Sequence, residues 1–250
     1  MEKDKALRID QVLVNLGFTQ SRERSKALIK KGGVFVNGKK ITKASFKCLI
    51  DSDIEVKTED IPWVSRGGLK MKKALDTWSI NVKNLVCLDI GASTGGFTDV
   101  LLHNGAKKVY ALDVGHSQLA EKLRNDKRVV VIENKNIRDT TSEIFTDLID
   151  LITVDVSFIS LSYVVSKVFD LLGKEGVAIM LIKPQFEVGR DNIKKGVVRD
   201  PVLHNKVIDK IKFITKKEGF ETVDIIESPI KGVGGNKEFL IYLKKSSINT

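Results

Sequence analysis

Four charged side chains in separate segments could do proton chemistry together. Asp155 closes the apolar run Ile152-Thr153-Val154-Asp155, and Lys183 closes another, Ile179-Met180-Leu181-Ile182-Lys183-Pro184. Both patterns predict strands with the charge at their carboxyl ends, the edge where an open sheet binds ligands. Lys70, in Ser65-Arg66-Gly67-Gly68-Leu69-Lys70, falls on a predicted helix ahead of a glycine-bearing strand. Glu238, in Gly235-Asn236-Lys237-Glu238, precedes the last predicted strand. A lysine acts as a base only when its proton affinity is pulled down. Crowding by a second cation does that, whereas neighbouring carboxylates orient the ammonium groups and oppose the shift. Metal chemistry is not expected: Cys48 and Cys87 are the only cysteines, and His103, His116 and His204 are scattered.

A second motif offers a binding loop. Leu88-Asp89-Ile90-Gly91-Ala92-Ser93-Thr94-Gly95-Gly96-Phe97-Thr98-Asp99 ends a predicted strand, turns through three glycines and opens a helix. Such a turn lets a polar ligand lie against bare backbone. Gly91 and Gly96 fit the outer positions of a dinucleotide fingerprint, but Ser93 replaces its middle glycine and Asp89 adds negative charge before the turn. Both facts disfavour a dinucleotide, whereas a positively charged, amino-acid-bearing nucleoside such as S-adenosylmethionine tolerates Asp89. Asp113, 17 residues after Gly96, would hydrogen-bond the ribose hydroxyls, with Ser93 and Thr94 facing the methionine end. Val114, Asn136 and Ile137 complete the candidate cofactor set with Asp89, Gly91, Gly95, Gly96 and Phe97.

The elements that must position these groups follow from periodicity. Alternation of apolar runs with amphipathic stretches from Leu69 onward predicts an α/β, mostly parallel, doubly wound sheet. Its strands are expected at 86–90, 108–112, 129–132, 151–156, 176–182, 220–226 and 239–243, and its helices at 68–78, 96–104, 118–125, 161–172 and 201–218. Seven strands suit a Rossmann-like methyltransferase. The first 60 residues read as a small α+β unit. Leu7–Leu16 has helical spacing; Ser21 caps a basic second helix; Val34-Phe35-Val36, Ile41 and Ile54–Val56 are strand candidates around an Asn37-Gly38 hairpin turn. Ile61-Pro62-Trp63-Val64 forms a stiff joint, giving domains 1–60 and 65–250 with a linker at 61–64.

The charge is uneven. The 250 residues carry +10, with 42 Lys and Arg against 32 Asp and Glu. The first 47 hold 12 of those cations against Glu2, Asp4, Asp10 and Glu23, so most of the excess is there. A concentrated positive region attracts a polyanion through counterion release. The longest strongly apolar run, near Gly176–Ile182, is far short of the ~20 residues of a spanning helix. No membrane partner and a cytoplasmic location are therefore expected, with nucleic acid as the anionic partner.

The amino-terminal residues Arg8, Asp10, Leu13, Ser21, Arg22, Ala27, Gly32, Val34, Val36, Asn37 and Gly38 resemble the S4 RNA-binding fold. The whole chain resembles the hemolysin A-type (TlyA) rRNA 2'-O-methyltransferases, which join an S4 domain to an FtsJ-like, S-adenosylmethionine-dependent methyltransferase domain. The matching blocks are Ser65–Gly68, Asp89–Asp99, Asp155–Leu161, Lys183–Glu187 and Gly235–Phe239. The resemblance implies a Lys-Asp-Lys-Glu tetrad at Lys70, Asp155, Lys183 and Glu238, with Lys183 steering and deprotonating a ribose 2'-hydroxyl. It also implies ribosomal RNA or a ribosomal subunit as substrate, cytidine as the target, and RNA contacts from the basic helix face. Candidate RNA-binding residues are Arg8, Arg22, Lys26, Lys30, Arg138 and Arg190, with Lys194, Lys195 and Arg199 near the last; Phe186 could stack on an extruded base or fill the core. Competing readings are a non-catalytic ribosome assembly factor, an S4-bearing pseudouridine synthase and a contact-dependent hemolysin, although no amphipathic insertion segment is visible.

Overall fold

In the computed structural model, which describes residues 6–19, 21–57, 61–189, 193 and 196–246, the chain forms two compact units, 1–62 and 63–250. The first contains β1 (Leu7–Arg8), α1 (Ile9–Asn15), α2 (Arg22–Lys30), β2 (Val34–Val36), β3 (Lys39–Ile41), β4 (Lys47–Cys48) and β5 (Ile54–Val56). Its core joins Ile9, Val12 and Leu13 to Leu28, Ile29, Val34, Val36 and Ile41. Ser21 caps α2 by accepting from the Arg24 amide at 3.3 Å. Asn37 and Gly38 take positive φ, 48° and 72°, and join β2 to β3 in a two-residue hairpin.

The first helix starts later than its spacing predicts. Leu7 and Arg8 are extended and pair with Cys48 and Lys47, so Leu7 reaches the core from a strand. Asp10, in the first turn of α1, is completely buried. It accepts from Arg8 Nε at 3.0 Å, Arg8 Nη2 at 3.2 Å and Arg22 Nη2 at 3.0 Å. Burial would push its carboxyl up, but the hydrogen bonds and charges of Arg8 and Arg22 together hold it below its ordinary range.

The second unit contains α3 (Gly67–Thr77), β6 (Val86–Ile90), α4 (Gly96–His103), β7 (Lys108–Leu112), α5 (Glu121–Arg124), β8 (Val129–Ile132) and β9 (Ile149–Val154). There follow α6 (Val165–Leu171), β10 (Leu172–Ile182), α7 (Pro184–Glu187), α8 (Pro201–Lys217), β11 (Phe220–Glu227) and β12 (Phe239–Lys245). Seven strands form one sheet in the order β11-β12-β10-β9-β6-β7-β8, with β12 antiparallel to both neighbours and the β10 to β8 pairings parallel. β6 has β7 on one side and β9 on the other, so the strand order reverses beside it and opens a crevice at the carboxyl ends. β6 is buried along its whole length and β7 almost so, as parallel strands inside a doubly wound sheet are, whereas β8 at the sheet edge is half-buried.

Two helices are shorter than expected. Before α5, Ser117 takes a positive φ of 51° and Glu133 captures the Gln118 amide at 3.2 Å, leaving the helix to Glu121–Arg124. The stretch after Ser160 makes one 3-10 turn, Leu161–Tyr163, before α6 begins. Asp200 caps α8, accepting from Val202 N at 2.8 Å, and Pro201 occupies its first turn. Trp63 and Val64, expected in the joint, belong to the second unit: Trp63 is buried edge-on to His103, and the Val64 amide donates to Asp99 at 2.8 Å.

Close approach of α3 to α4 depends on Gly96. A Cβ there would lie 2.3 Å from Ser65 Oγ and 2.8 Å from Gly68 N. Gly96→Ala is expected to destabilise the second unit by about 1–3 kcal/mol through overpacking. Urea unfolding followed by the fluorescence of Trp63 and Trp78, both in that unit, measures it; an unchanged midpoint would show that the helices separate without cost.

Candidate active site

The turn after β6 is shaped by contact with the neighbouring strand. Gly91 has φ +81°, and its amide donates to Leu112 O at 2.8 Å. A Cβ at this position would fall 2.6 Å from the Asp155 carbonyl, so only glycine lets β6 and β9 end side by side. Ser93 also takes positive φ, 47°. At Gly95, also in the candidate cofactor set, a Cβ would meet Leu123 Cδ1 at 2.2 Å and Leu119 Cδ1 at 2.8 Å. This glycine serves the packing of α4 on the α5 segment, a contact that glycine spacing cannot reveal.

Two carboxylates brace this turn. Asp89 is wholly buried; its Oδ2 accepts from Thr98 N at 3.0 Å and Thr98 Oγ1 at 2.7 Å, and its Oδ1 accepts from Thr153 Oγ1 at 2.9 Å. Loss of hydration, opposed by these bonds, raises its pKa to about 6. Asp113 Oδ2 accepts from the Ser93 amide and Oδ1 from the Gly115 amide, each at 2.7 Å. Each oxygen retains capacity for another donor.

Two cavities meet here. One, of about 420 Å³, is lined by Lys70, Asp89, Thr94, Gly96, Phe97 and Glu238, among others. The second, of about 930 Å³, is lined by Asp113, Val114, Asn136, Ile137, Arg138 and Phe186, among others. Gly91, Ser93, Asp155 and Ser157 border both. Val114 is 71% exposed, Ile137 lines the cavity although nearly buried, and Asn136 accepts from the Arg138 amide at 3.0 Å. Phe186 stands half-buried, 6.0 Å from Lys183 Nζ by its ring centroid.

The four charged residues singled out from the sequence converge. Asp155 follows β9, Lys183 follows β10, Lys70 lies on α3 and Glu238 precedes β12. Lys183 Nζ is 2.6 Å from Asp155 Oδ1; Lys70 Nζ is 3.7 Å from Asp155 Oδ2 and 2.8 Å from Glu238 Oε2. The result is a continuous chain of alternating charge, Lys183–Asp155–Lys70–Glu238. Side-chain exposures are 10%, 20%, 9% and 3% in that order, so its open end is at Lys183 and Asp155.

Ser157, to which the sequence reading assigned no role, accepts from Lys183 Nζ at 2.8 Å. Its position two residues after Asp155 was the available signal. Gly232 was also missed: a Cβ there would lie 1.9 Å from Glu238 Oε1, so the loop before β12 must be bare to admit that carboxylate.

The candidate RNA contacts are less uniform. Arg8 and Arg22 are held on Asp10, and Lys26 pairs with Glu23 at 2.5 Å. Lys30 is exposed, Arg138 borders the larger cavity, and Arg190 lies outside the described residues, as do Lys194 and Lys195. Among the described residues, no group of three His, Cys, Asp or Glu gathers as a metal site, and no helix is long and apolar enough to cross a membrane.

Asp89 provides a test of the buried frame. Its folded pKa, about 6, lies above the ordinary 3.8, so the folded state holds a proton that the unfolded state releases between those values. This contribution is favourable at low pH and is lost as pH rises through about 6. Asp89→Asn abolishes it while retaining an acceptor for Thr98. Chemical denaturation across this range should show wild-type stability falling relative to the variant by about 1–3 kcal/mol; parallel curves would refute the burial effect.

The FtsJ-like methyltransferase family model matches residues 63–245, and the S4 domain model matches residues 7–54. Hemolysin A of Brachyspira hyodysenteriae is 46% identical over 238 residues, covering 94% of this chain and 99% of that protein. The 16S/23S rRNA (cytidine-2'-O)-methyltransferase TlyA of Mycobacterium tuberculosis is 39% identical over 239 residues, covering 95% and 89%. A solved structure from Streptococcus thermophilus, provisionally named a hemolysin, has a TM-score of 0.78 at 40% identity and covers 97% of this chain and 89% of its own. With its second unit matched almost end to end and its site built at the sheet's switch point, the chain belongs to the FtsJ-like methyltransferase family and carries an S4 domain ahead of that unit.

Proposed function

We propose that this protein transfers a methyl group from S-adenosylmethionine to the ribose 2'-hydroxyl of a cytidine in ribosomal RNA, with the S4 unit holding the RNA. The observation that carries this reading is the charge chain Lys183–Asp155–Lys70–Glu238, closed by contacts of 2.6, 3.7 and 2.8 Å beside the glycine turn. The name of the Mycobacterium tuberculosis relative supplies the substrate class, and the basic first unit suits a polyanion.

The residues around the turn fit the cofactor. Gly91 offers bare backbone where any side chain would collide with Asp155, Asp113 retains acceptor capacity for ribose hydroxyls, and Val114 and Ile137 provide apolar wall for a base. Ser93, Thr94 and Phe97 border the smaller cavity on the side of the tetrad. When bound, S-adenosylmethionine supplies a methyl group on cationic sulfur, whose bond to carbon breaks to leave a neutral thioether.

The chain's own residues prepare the nucleophile. Lys183 Nζ steers the 2'-hydroxyl and, entering the step as the neutral amine, takes its proton as the oxygen bonds to carbon, becoming the ammonium that Asp155 pairs. Asp155 fixes that amine through Oδ1 and engages Lys70 through Oδ2, while Ser157 holds Lys183 from another direction. Glu238 anchors Lys70 from the buried side. Restricting Lys183 in this way supports catalysis mainly by alignment.

Incubation with methyl-labelled cofactor and ribosomal subunits lacking the modification should yield 2'-O-methylcytidine when the product is mapped. Label on a base or on protein overturns the ribose assignment; binding without transfer favours an assembly factor. Lys183→Ala should lower turnover by about 10²–10⁴ while cofactor affinity, measured by calorimetry, stays within about twofold, since Lys183 acts on the acceptor. Turnover near wild type would remove Lys183 as the base.

A further inference from the structure

We propose that Asp10 is a positioning residue for RNA binding: it holds Arg8 and Arg22 as a preorganised pair for a backbone phosphate. This rests on the reading of the S4 unit as the RNA-holding part. A carboxylate with no exposed side-chain surface accepts three guanidinium N–H bonds at 3.0–3.2 Å from two arginines whose side chains remain 41% and 52% exposed. A guanidinium has five N–H donors. Arg8 uses two on Asp10 and Arg22 uses one, leaving donors on both for a ligand. The cluster keeps a net positive charge, and planar guanidinium forks match phosphate oxygens.

The arrangement differs from that of the lysines around it. Lys26 pairs with the exposed Glu23, and Lys30 stands exposed on the same helix. These flexible ammonium groups supply charge with little geometry. Arg8 ends β1 ahead of α1 and Arg22 opens α2, and the two are brought to one point by a buried anchor. Their side-chain freedom is reduced on folding, so less is lost when a phosphate arrives.

Position and charge predict opposite signs for one substitution. Asp10→Asn removes a negative charge, which by Coulomb's law alone favours a polyanion. It also turns an amide N–H₂ towards one guanidinium and releases the pair, which should weaken binding on the order of tenfold. The experiment measures the dissociation constant of the full chain for ribosomal subunits lacking the modification, at several salt concentrations, with hydrogen exchange of the first unit reporting its fold. Weaker binding with first-unit protection retained supports the proposal; unchanged or tighter binding overturns it.

Should Asp10→Asn unfold the unit, Arg22→Lys supplies the answer, because it keeps the charge and loses the fork. Binding weakened several-fold at an unchanged salt slope supports positioning, and wild-type affinity overturns it. The double change Arg8→Ala, Arg22→Ala should weaken binding and reduce the salt slope. Wild-type affinity in that variant overturns the phosphate contact itself. Mapping the methylated nucleotide in parallel tests the enzymatic reading separately, since that product can form whatever the affinity ranking of these variants.

Discussion

Asp155 sits between two ammonium groups at the carboxyl end of β9, and the geometry around it depends on keeping three charged side chains together with little water. Lys70 and Lys183 are nearly buried, and removing an isolated cation from water costs several kcal/mol. Asp155 answers that cost on one side of each lysine, and Glu238 answers it again for Lys70. Such a chain adds little net stability, because desolvation offsets attraction, but it strongly disfavours arrangements that leave one member unpaired. That selectivity ties α3, the ends of β9 and β10, and the loop before β12 to a common point.

The same constraint explains the bareness of the surrounding backbone. Gly91 permits β6 to end against the Asp155 carbonyl, and Gly232 leaves room for Glu238. Asp89 works from below, binding Thr98 on α4 and Thr153 on β9, so the start of the helix and the next strand share one buried carboxylate. Asp113 performs the corresponding task above the turn through the Ser93 and Gly115 amides. The cleft is therefore framed mainly by strand ends and backbone amides, which are better placed than mobile loops to hold a reacting pair in line.

In the first unit a buried carboxylate again organises cations, with a different outcome. Lys70 and Lys183 are drawn inward around Asp155, whereas Arg8 and Arg22 reach Asp10 with only part of their donors and keep their outer faces in water. Counting positive charge along the chain treats all these groups alike. Their exposure and partners separate those enclosed around a pocket from those that remain open to solvent.

Strand positions in the second unit were legible from short apolar runs: 86–90, 108–112 and 129–132 match β6, β7 and β8 residue for residue, the first two buried almost throughout and the last a half-buried, β-branched edge strand. The Ser21 cap, the Asn37-Gly38 hairpin and the glycine turn were legible for a similar reason, since each is a conformational demand met by adjacent residues. Lys70, Asp155, Lys183 and Glu238 were nominated by predicted strand ends and by family resemblance, but the contacts that join them were not legible. Lys70 and Glu238 are 168 positions apart, and no local pattern states which oxygen meets which ammonium. Nor could spacing show that a side chain at Gly95 would strike Leu119 and Leu123, that Ser157 contacts Lys183, or that Asp10 gathers two arginines. Periodicity and turn chemistry belong to neighbours along the chain, whereas burial, pairing and the direction of a side chain arise only when distant segments exclude water together.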